Sequence, residues 1–430
     1  MHPILKPKDR DAILKSLQAG VVPKTGQQHI QVGRLNEIEA ITKDLSIVAD
    51  NGGMFRIVVG SYGSGKTFFL NLVKAIALEK KLVVASADLT PDKRLHATGG
   101  QTRALYAELM QNLATKTRPD GNALAGIVEK FIGNIVDAQE DSKAVSMLGI
   151  HKRLEVLTDF VGGFDFRTII TKYWEGHESG DDVLKQNALR WLRAEYTTKT
   201  EAKQDLGVRT IIDDKTAFDY LKLLAVFVKL AGYAGLLISL DEMVNLYKLA
   251  NPQARNSNYE QILHILNDSL QNTSHGLGFI MGGTPDFLMD PRKGLYSYAA
   301  LQTRLAENQF VKHGYQDYSG PIIRLVSLTE QELFLLLSKI RHVFANGNEA
   351  AYGLTDNEIK QFMQFCAKTI GEAYVKTPRN SIKAFVNLLS ILSTNPEAIN
   401  NLDTLIGKSE LTDMPNNDNA QTDDLADFRL

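Results

Sequence analysis

The stretch from Phe55 to Val73, FRIVVGSYGSGKTFFLNLV, constrains the chain more than any other. A strongly apolar run breaks into a glycine-rich turn, closes on Lys-Thr and passes into a second apolar segment. GSYGSGKT fits G-x-x-x-x-G-K-[ST] with Gly60, Gly65, Lys66 and Thr67. Glycines let a backbone wrap closely around a phosphate so that successive N–H groups point inward, and a helix starting there adds its positive end. The candidate phosphate-binding residues are Gly60, Ser61, Tyr62, Gly63, Ser64, Gly65, Lys66, Thr67 and Phe68. Lys66 is placed to neutralise β- and γ-phosphates, and the Thr67 hydroxyl to ligate Mg²⁺. The bland alternative is a tight strand-to-helix turn with an incidental lysine. A strand over Phe55–Val59 and a helix from about Lys66 to Glu79 give the phosphate reading the context it needs.

The rest of the chain alternates in the same way. KLVVASAD predicts a second buried strand from Leu82 to Ala87, LLISLDE a third, LGFIMGGTP a fourth and PIIRLVSL a fifth. Helical periodicity predicts a short helix over 9–19, followed by the linker VVPKTGQQ, and another helix in VGRLNEIEAITKDLSIV. From about Thr102 to Tyr196 the pattern is almost wholly helical, with AVSMLGIHKRLEVLTDF read as one helix. The apolar helix TAFDYLKLLAVFVKLAGYAG then leads into the third strand. After Leu328 the chain is helical again. Strands separated by helices predict an α/β fold with a parallel sheet covered on both faces. The expected divisions are an N-terminal helix and linker (1–24), a core (25–328) with a helical insertion at about 111–204, a helical unit (329–405) and an acidic, disordered tail (406–430).

Bulk properties exclude several classes. The 430 residues carry a net charge of −2, so no global basic field draws the chain onto nucleic acid. The single cysteine, Cys366, rules out an internal disulfide, and the nine scattered histidines show no zinc spacing. The opening segment is charged throughout and lacks the core of a signal peptide; no run of about 18 apolar residues suggests a membrane span. The chain reads as soluble and cytoplasmic.

Two more segments carry candidate chemistry. GLLISLDEMVN delivers Asp241 and Glu242 to the end of a buried strand. Asp241 suits the Mg²⁺ shell, and Glu242 suits a base that orients or deprotonates an attacking water. Two acids beside a helix start also need no function. In GFIMGGTPDF, Thr284 ends the fourth strand, either to hydrogen-bond a γ-phosphate or to cap the following helix. Arg304 in LQTRLAEN and Arg379 in TPRNSIKAFV stand where an arginine could reach a phosphate from a neighbouring subunit or a lid; a solvated surface arginine is the commoner fate.

The order VGRLNEIEAI, GSYGSGKT, LLISLDE, GGTP, TRL and TPRNSIKAFV resembles an AAA+ ATPase of the branch containing origin-recognition and other initiator ATPases. That resemblance implies a P-loop core of five parallel strands followed by a helical lid. It implies that Val32, Gly33 and Arg34 lie near the adenine of ATP, that Thr284 is the sensor-1 residue, Arg304 an arginine finger acting in trans within a homo-oligomer, and Arg379 the sensor-2 arginine. Better-known members carry asparagine at sensor 1, so Thr284 departs from the pattern. GSYGSGKTFFL, ADLTPDKRLHATGGQTRALYAELM, LDEMVNLYKL, GGTPDFLMDPRKGLYSYAALQTRLAEN and TPRNSIKAFVNLL together resemble the ATP-binding protein of BREX bacteriophage-exclusion systems, of the BrxD type. Its members are encoded beside a methyltransferase, a phosphatase-like protein and helicases, which implies other BREX proteins as partners. Arg94 in DKRLH belongs to the pattern, with no role assigned by its chemistry.

RWLRAEYTTKTEAK interleaves Arg190, Arg193, Lys199 and Lys203 with Trp191 and Tyr196. Such spacing suits a nucleic-acid backbone with stacked bases, but a solvated helix face with inward aromatics is the favoured reading, since Glu195, Glu201 and Asp205 share the stretch. Two functional readings stay open: an ATPase coupling ATP to assembly or action on duplex DNA, and a nucleotide-dependent switch or scaffold for partner proteins. A metabolic kinase is the weakest, because no acceptor site is evident.

Overall fold

The computed structural model describes residues 5–136, 143–271, 275–308, 317–371 and 378–407; the expected tail from 408 onward lies outside them. The chain divides into two compact units, Arg34–Ser61 with Gly65–Leu325, and Met1–Gly33 with Tyr62–Ser64 and Val326–Leu430.

The larger unit is built on a five-stranded, all-parallel sheet: β1 (Met54–Val59), β2 (Val83–Asp88), β3 (Leu236–Asp241), β4 (Leu277–Gly283) and β5 (Ile322–Arg324), in the order β2-β3-β4-β1-β5. The expected α/β fold is present, and the architecture is that of a P-loop NTPase-like core. The fifth strand is shorter than the eight apolar-rich residues PIIRLVSL suggest. It is an edge strand paired only with β1, and the ladder closes where Leu325 N–H donates to Val59 O at 2.8 Å.

Alternation sorts the strand residues between two cores. Phe55, Ile57 and Val59 of β1 pack with Leu236, Ile238 and Leu240 of β3 on one face, beneath the helices that join β2 to β3. Met54 and Val58 pack with Leu237 and Ile280 on the other, under the helices Leu35–Ala49 and Lys66–Glu79. Each fully buried aliphatic side chain contributes about 1.5–3 kcal/mol. Arg56 interrupts the apolar run of β1 on this second face. It is buried against Asp44, with Nε to Oδ2 at 2.6 Å and Nη2 to Oδ1 at 3.1 Å, and Nη1 donates to Gly320 O.

Between β2 and β3 the described residues hold helices and no strand, as the periodicity predicts. AVSMLGIHKRLEVLTDF is not one helix. Its α-helix ends at Leu154 and a 3₁₀ turn, Glu155–Asp159, leads to the helix Gly163–Ser179. Gly163 lies against Leu157 O after this turn, where any Cβ would overlap the carbonyl, so the close return of the chain needs glycine. A 19-residue helix, Pro252–Leu270, has no counterpart in the sequence reading.

The smaller unit is helical. The helices Glu330–Phe344 and Asp356–Ile370 each begin with a capping box, Thr329 with Glu332 and Thr355 with Glu358. The helix Arg379–Thr394 packs with them, and Phe362 meets Phe385 with centroids 5.3 Å apart. The N-terminal helix Pro7–Gln18 joins the same unit, where Arg10 donates to Phe344 O and Gln18 to Ser390 Oγ. No helix among the described residues is long and apolar enough to cross a membrane.

Candidate nucleotide site

The glycine loop leaves β1 at the carboxyl edge of the sheet, where Gly60 N–H donates to Gly283 O at 3.2 Å. Gly63 (φ +76°) and Gly65 (φ +92°) occupy backbone conformations that side-chain-bearing residues rarely adopt, and Gly65 is the N-cap of Lys66–Glu79. Lys66 Nζ donates to Gly60 O (2.8 Å) and Ser61 O (3.0 Å). Burial is the main cause that lowers its pKa, against the opposing pull of Asp241 and Glu242.

Parity explains how Asp241 meets this loop. Leu237, Ser239 and Asp241 share the face of β3 that carries the helix Lys66–Glu79. Thr67 Oγ1 donates to Asp241 Oδ2 at 2.7 Å, and Asp241 Oδ1 accepts the Glu242 N–H at 2.8 Å. The carboxylate fits because its neighbour on β4 is Gly282, where a Cβ would overlap Asp241 Oδ1. Glu242 takes φ +57° at the strand end, and Met243 N–H returns to Gly282 O at 3.0 Å. Withdrawal from water, then Asp241, push the Glu242 carboxyl above the ordinary range. Asp88, opposite Asp241 in the β2–β3 register, is raised by burial first and then by Asp241 and Glu108. Sequence reading ended β2 at Ala87 and so passed over this third acid; its signal was its place at the end of an apolar run, one strand from LDE.

Thr284 caps the short helix Pro285–Met289, its Oγ1 accepting from Phe287 N–H at 3.3 Å, while its own proton stays free to donate. Arg304 is exposed at the end of the helix Ala299–Arg304 and donates to Asn267 Oδ1 (2.9 Å) and Ala300 O (3.1 Å). Both lie in the larger unit. Arg379 donates to the Tyr62 hydroxyl at 2.8 Å, both within the smaller unit. Gly33 takes φ +62° against the Glu332 carboxylate, and Val32 beside it is half-buried. Arg34 (φ +63°) precedes the helix Leu35–Ala49 and lies 3.7 Å from Glu37.

A family model described as BREX system ATP-binding protein BrxC/D matches residues 5–407. The chain belongs to that family. No individually curated protein matches it. As a BrxC/D-family chain it is an ATP-binding protein of a BREX anti-phage system. The glycine loop, its lysine and the Thr67–Asp241 pair are the parts of the sheet edge whose chemistry suits a nucleotide's phosphates and their cation.

The aromatic–basic stretch is not part of this edge. Trp191 and Tyr196 are buried, Trp191 Nε1 donates to Thr210 O, and Tyr196 Oη donates to Asp205. Arg190 pairs with Glu201 at 2.9 Å and lies 3.7 Å from Asp205. The inward-aromatic reading is the one the contacts support. Arg94 is half-buried, with no hydrogen-bond partner for its Nε.

Proposed function

We propose that this BREX protein is a Mg²⁺-dependent AAA+ ATPase that couples ATP hydrolysis to assembly or action on DNA. The observation that carries the reading is the 2.7 Å bond between Thr67 and Asp241 beside Lys66 and Glu242. The hydroxyl and carboxylate are a hard oxygen pair of the kind Mg²⁺ takes together with phosphate oxygens. When bound, the cation would neutralise charge building on the transferred phosphoryl group.

The chain's own residues supply the rest. The N–H groups of Gly63, Gly65 and Lys66 orient the β-phosphate at the helix start. Lys66 exchanges the carbonyls of Gly60 and Ser61 for phosphate oxygens. Glu242 accepts a proton from the attacking water, and its raised pKa makes it a stronger base than an ordinary carboxylate. Thr284 donates its free hydroxyl proton toward the γ-phosphate or the water. Arg304 completes the site of a neighbouring copy, and Arg379, Val32, Gly33 and Arg34 keep the roles that the AAA+ resemblance implies.

A second reading, a nucleotide-dependent switch for partner BREX proteins, gains support from the net charge of −2 and the carboxylates around Arg190. Steady-state ATP hydrolysis with and without duplex DNA, beside Lys66→Ala and Glu242→Gln, separates the two. Turnover that rises with DNA and is lost in both variants supports the ATPase. Tight ATP binding with negligible turnover, unmoved by DNA, supports the switch.

A further inference from the structure

Arg304 is an exposed arginine whose hydrogen-bond acceptors are neutral. Arg56, Arg324 and Arg341 each pair with a carboxylate, at 2.6–2.7 Å. Arg304 instead donates Nε–H to the neutral amide of Asn267 and one Nη1–H to Ala300 O. Among the described residues no carboxylate lies within 4.0 Å of it, although two are close in sequence to the pair. Asp268, next to Asn267, pairs with Lys222 at 2.6 Å, and Glu307 takes Arg324 in a two-point bond at 2.7 and 2.9 Å. Leu301 and Leu305, both fully buried, and the Tyr296 hydroxyl bonded to Leu305 O fix the backbone on either side. A guanidinium has five N–H donors, so three remain, including both on Nη2, with the whole charge uncompensated.

We infer that Asn267 is a positioning residue that presents Arg304 to an anionic oxygen on a second copy of this chain. The inference rests on the reading of Arg304 as a residue acting in trans. A neutral acceptor at Nε fixes the side-chain rotamer without consuming the charge, whereas a carboxylate there would hold the side chain as firmly and cancel it.

That difference sets the test. Asn267→Asp keeps an acceptor at the same reach and adds a negative charge. If Asn267 only ties two helices together, the variant turns over ATP as the unaltered chain does. If it presents a charged Arg304, kcat falls about tenfold or more, a fraction of what such an arginine supplies. Nucleotide affinity and thermal midpoint stay unchanged. Adding Glu242→Gln chains, which bring an intact Asn267 and Arg304 but no base, restores turnover to Asn267→Asp chains. Arg304→Ala is measured in parallel. If it turns over normally, the trans reading fails and the inference with it. If it is inactive while Asn267→Asp is normal, the trans reading stands and the role of Asn267 is overturned. Absence of turnover in the unaltered chain at every concentration overturns both. A lowered midpoint in Asn267→Asp leaves the mixing experiment to decide: restoration supports presentation, and no restoration refutes it.

Discussion

Glu242 carries a cost that can be separated from its charge. Its φ of +57° lies in the left-handed region, where a Cβ meets the backbone, and a side-chain-bearing residue there costs about 1–2 kcal/mol. The turn is held from both sides, by Glu242 N–H on Asp241 Oδ1, Met243 N–H on Gly282 O and Asn245 N–H on Glu242 O. Relaxation would therefore break bonds at the strand end. Glu242→Ala and Glu242→Gly both delete the carboxylate and differ only by a methyl group and its restriction of the backbone. Glycine loses about 0.5–1 kcal/mol more chain entropy on folding. The net expectation is that Glu242→Gly is more stable than Glu242→Ala by roughly 0.5–1 kcal/mol. In a scanning thermal melt followed by a probe in the larger unit, that is a difference of roughly 2 °C. Both variants lose turnover. If Glu242→Ala melts at or above Glu242→Gly, the strand-end turn is not strained and the reasoning fails.

Gly282→Ala would push a Cβ into the Asp241 carboxylate and to 3.0 Å from Leu70 Cδ1, destabilising the fold by about 1–3 kcal/mol and weakening nucleotide binding through the Thr67–Asp241 pair; calorimetric titration with Mg·ATP reads the second effect. Asp44→Ala strands the buried Arg56 charge and should cost about 3–5 kcal/mol in urea unfolding. The carboxyls of Asp88 and Glu242 titrate higher in the fold than in the unfolded chain, so the fold binds more protons and its stability declines as pH rises from the unfolded values, about 4, through the folded ones. Glu242→Gln should flatten that decline in urea midpoints measured from pH 4 to pH 8. Since the edge already crowds Asp88, Asp241 and Glu242 together, ATP should bind far more weakly in a chelator than with Mg²⁺, and Asp88→Asn should narrow the gap.

The strands were legible because each is a short, nearly continuous apolar run, as buried parallel strands must be. The loop was legible because Gly63 and Gly65 do work only glycine can do. Elements shaped by their neighbours were hidden. Helix Pro252–Leu270 begins with a plain signal, Asn251 capping Gln253 and Ala254 with Pro252 at the first position, but its buried face includes Arg255 and Asn258, so apolar periodicity is faint. Asn258 spends its amide on both backbone groups of His96, a contact spanning 162 positions that no local pattern announces. The 3₁₀ turn at Glu155–Asp159 and the approach of Gly163 to Leu157 O are local, but apolar periodicity runs through them without a mark. Arg304 and Arg379 were singled out by position, and their finger and sensor roles came from resemblance; the Asn267 and Tyr62 acceptors lie far away in sequence.

The resting arrangement at the sheet edge also bears on how the site can respond. Lys66 is satisfied by its own loop, Thr67 by Asp241, and Asp241 by the Glu242 N–H, so a phosphate and its cation would displace these side-chain bonds. Each of these bonds has an ionised partner, so exchanging it for a bond to a ligand yields only the difference between two charge-assisted bonds of about 1.5–3 kcal/mol each. What is unrelieved in the fold is charge: carboxyls at Asp88 and Glu242 lifted by burial and by Asp241, and a lysine depressed by its own burial. A cation beside Asp241 and an anion beside Lys66 answer those two costs together, and neither answers both. On the proposed reading the site would favour a paired ligand, a polyphosphate carrying its metal, over free metal or free phosphate. Asp241 accepts from Thr67 through one oxygen and from the Glu242 N–H through the other, so a cation drawn to that carboxylate would act on the strand-end turn as well as on the loop.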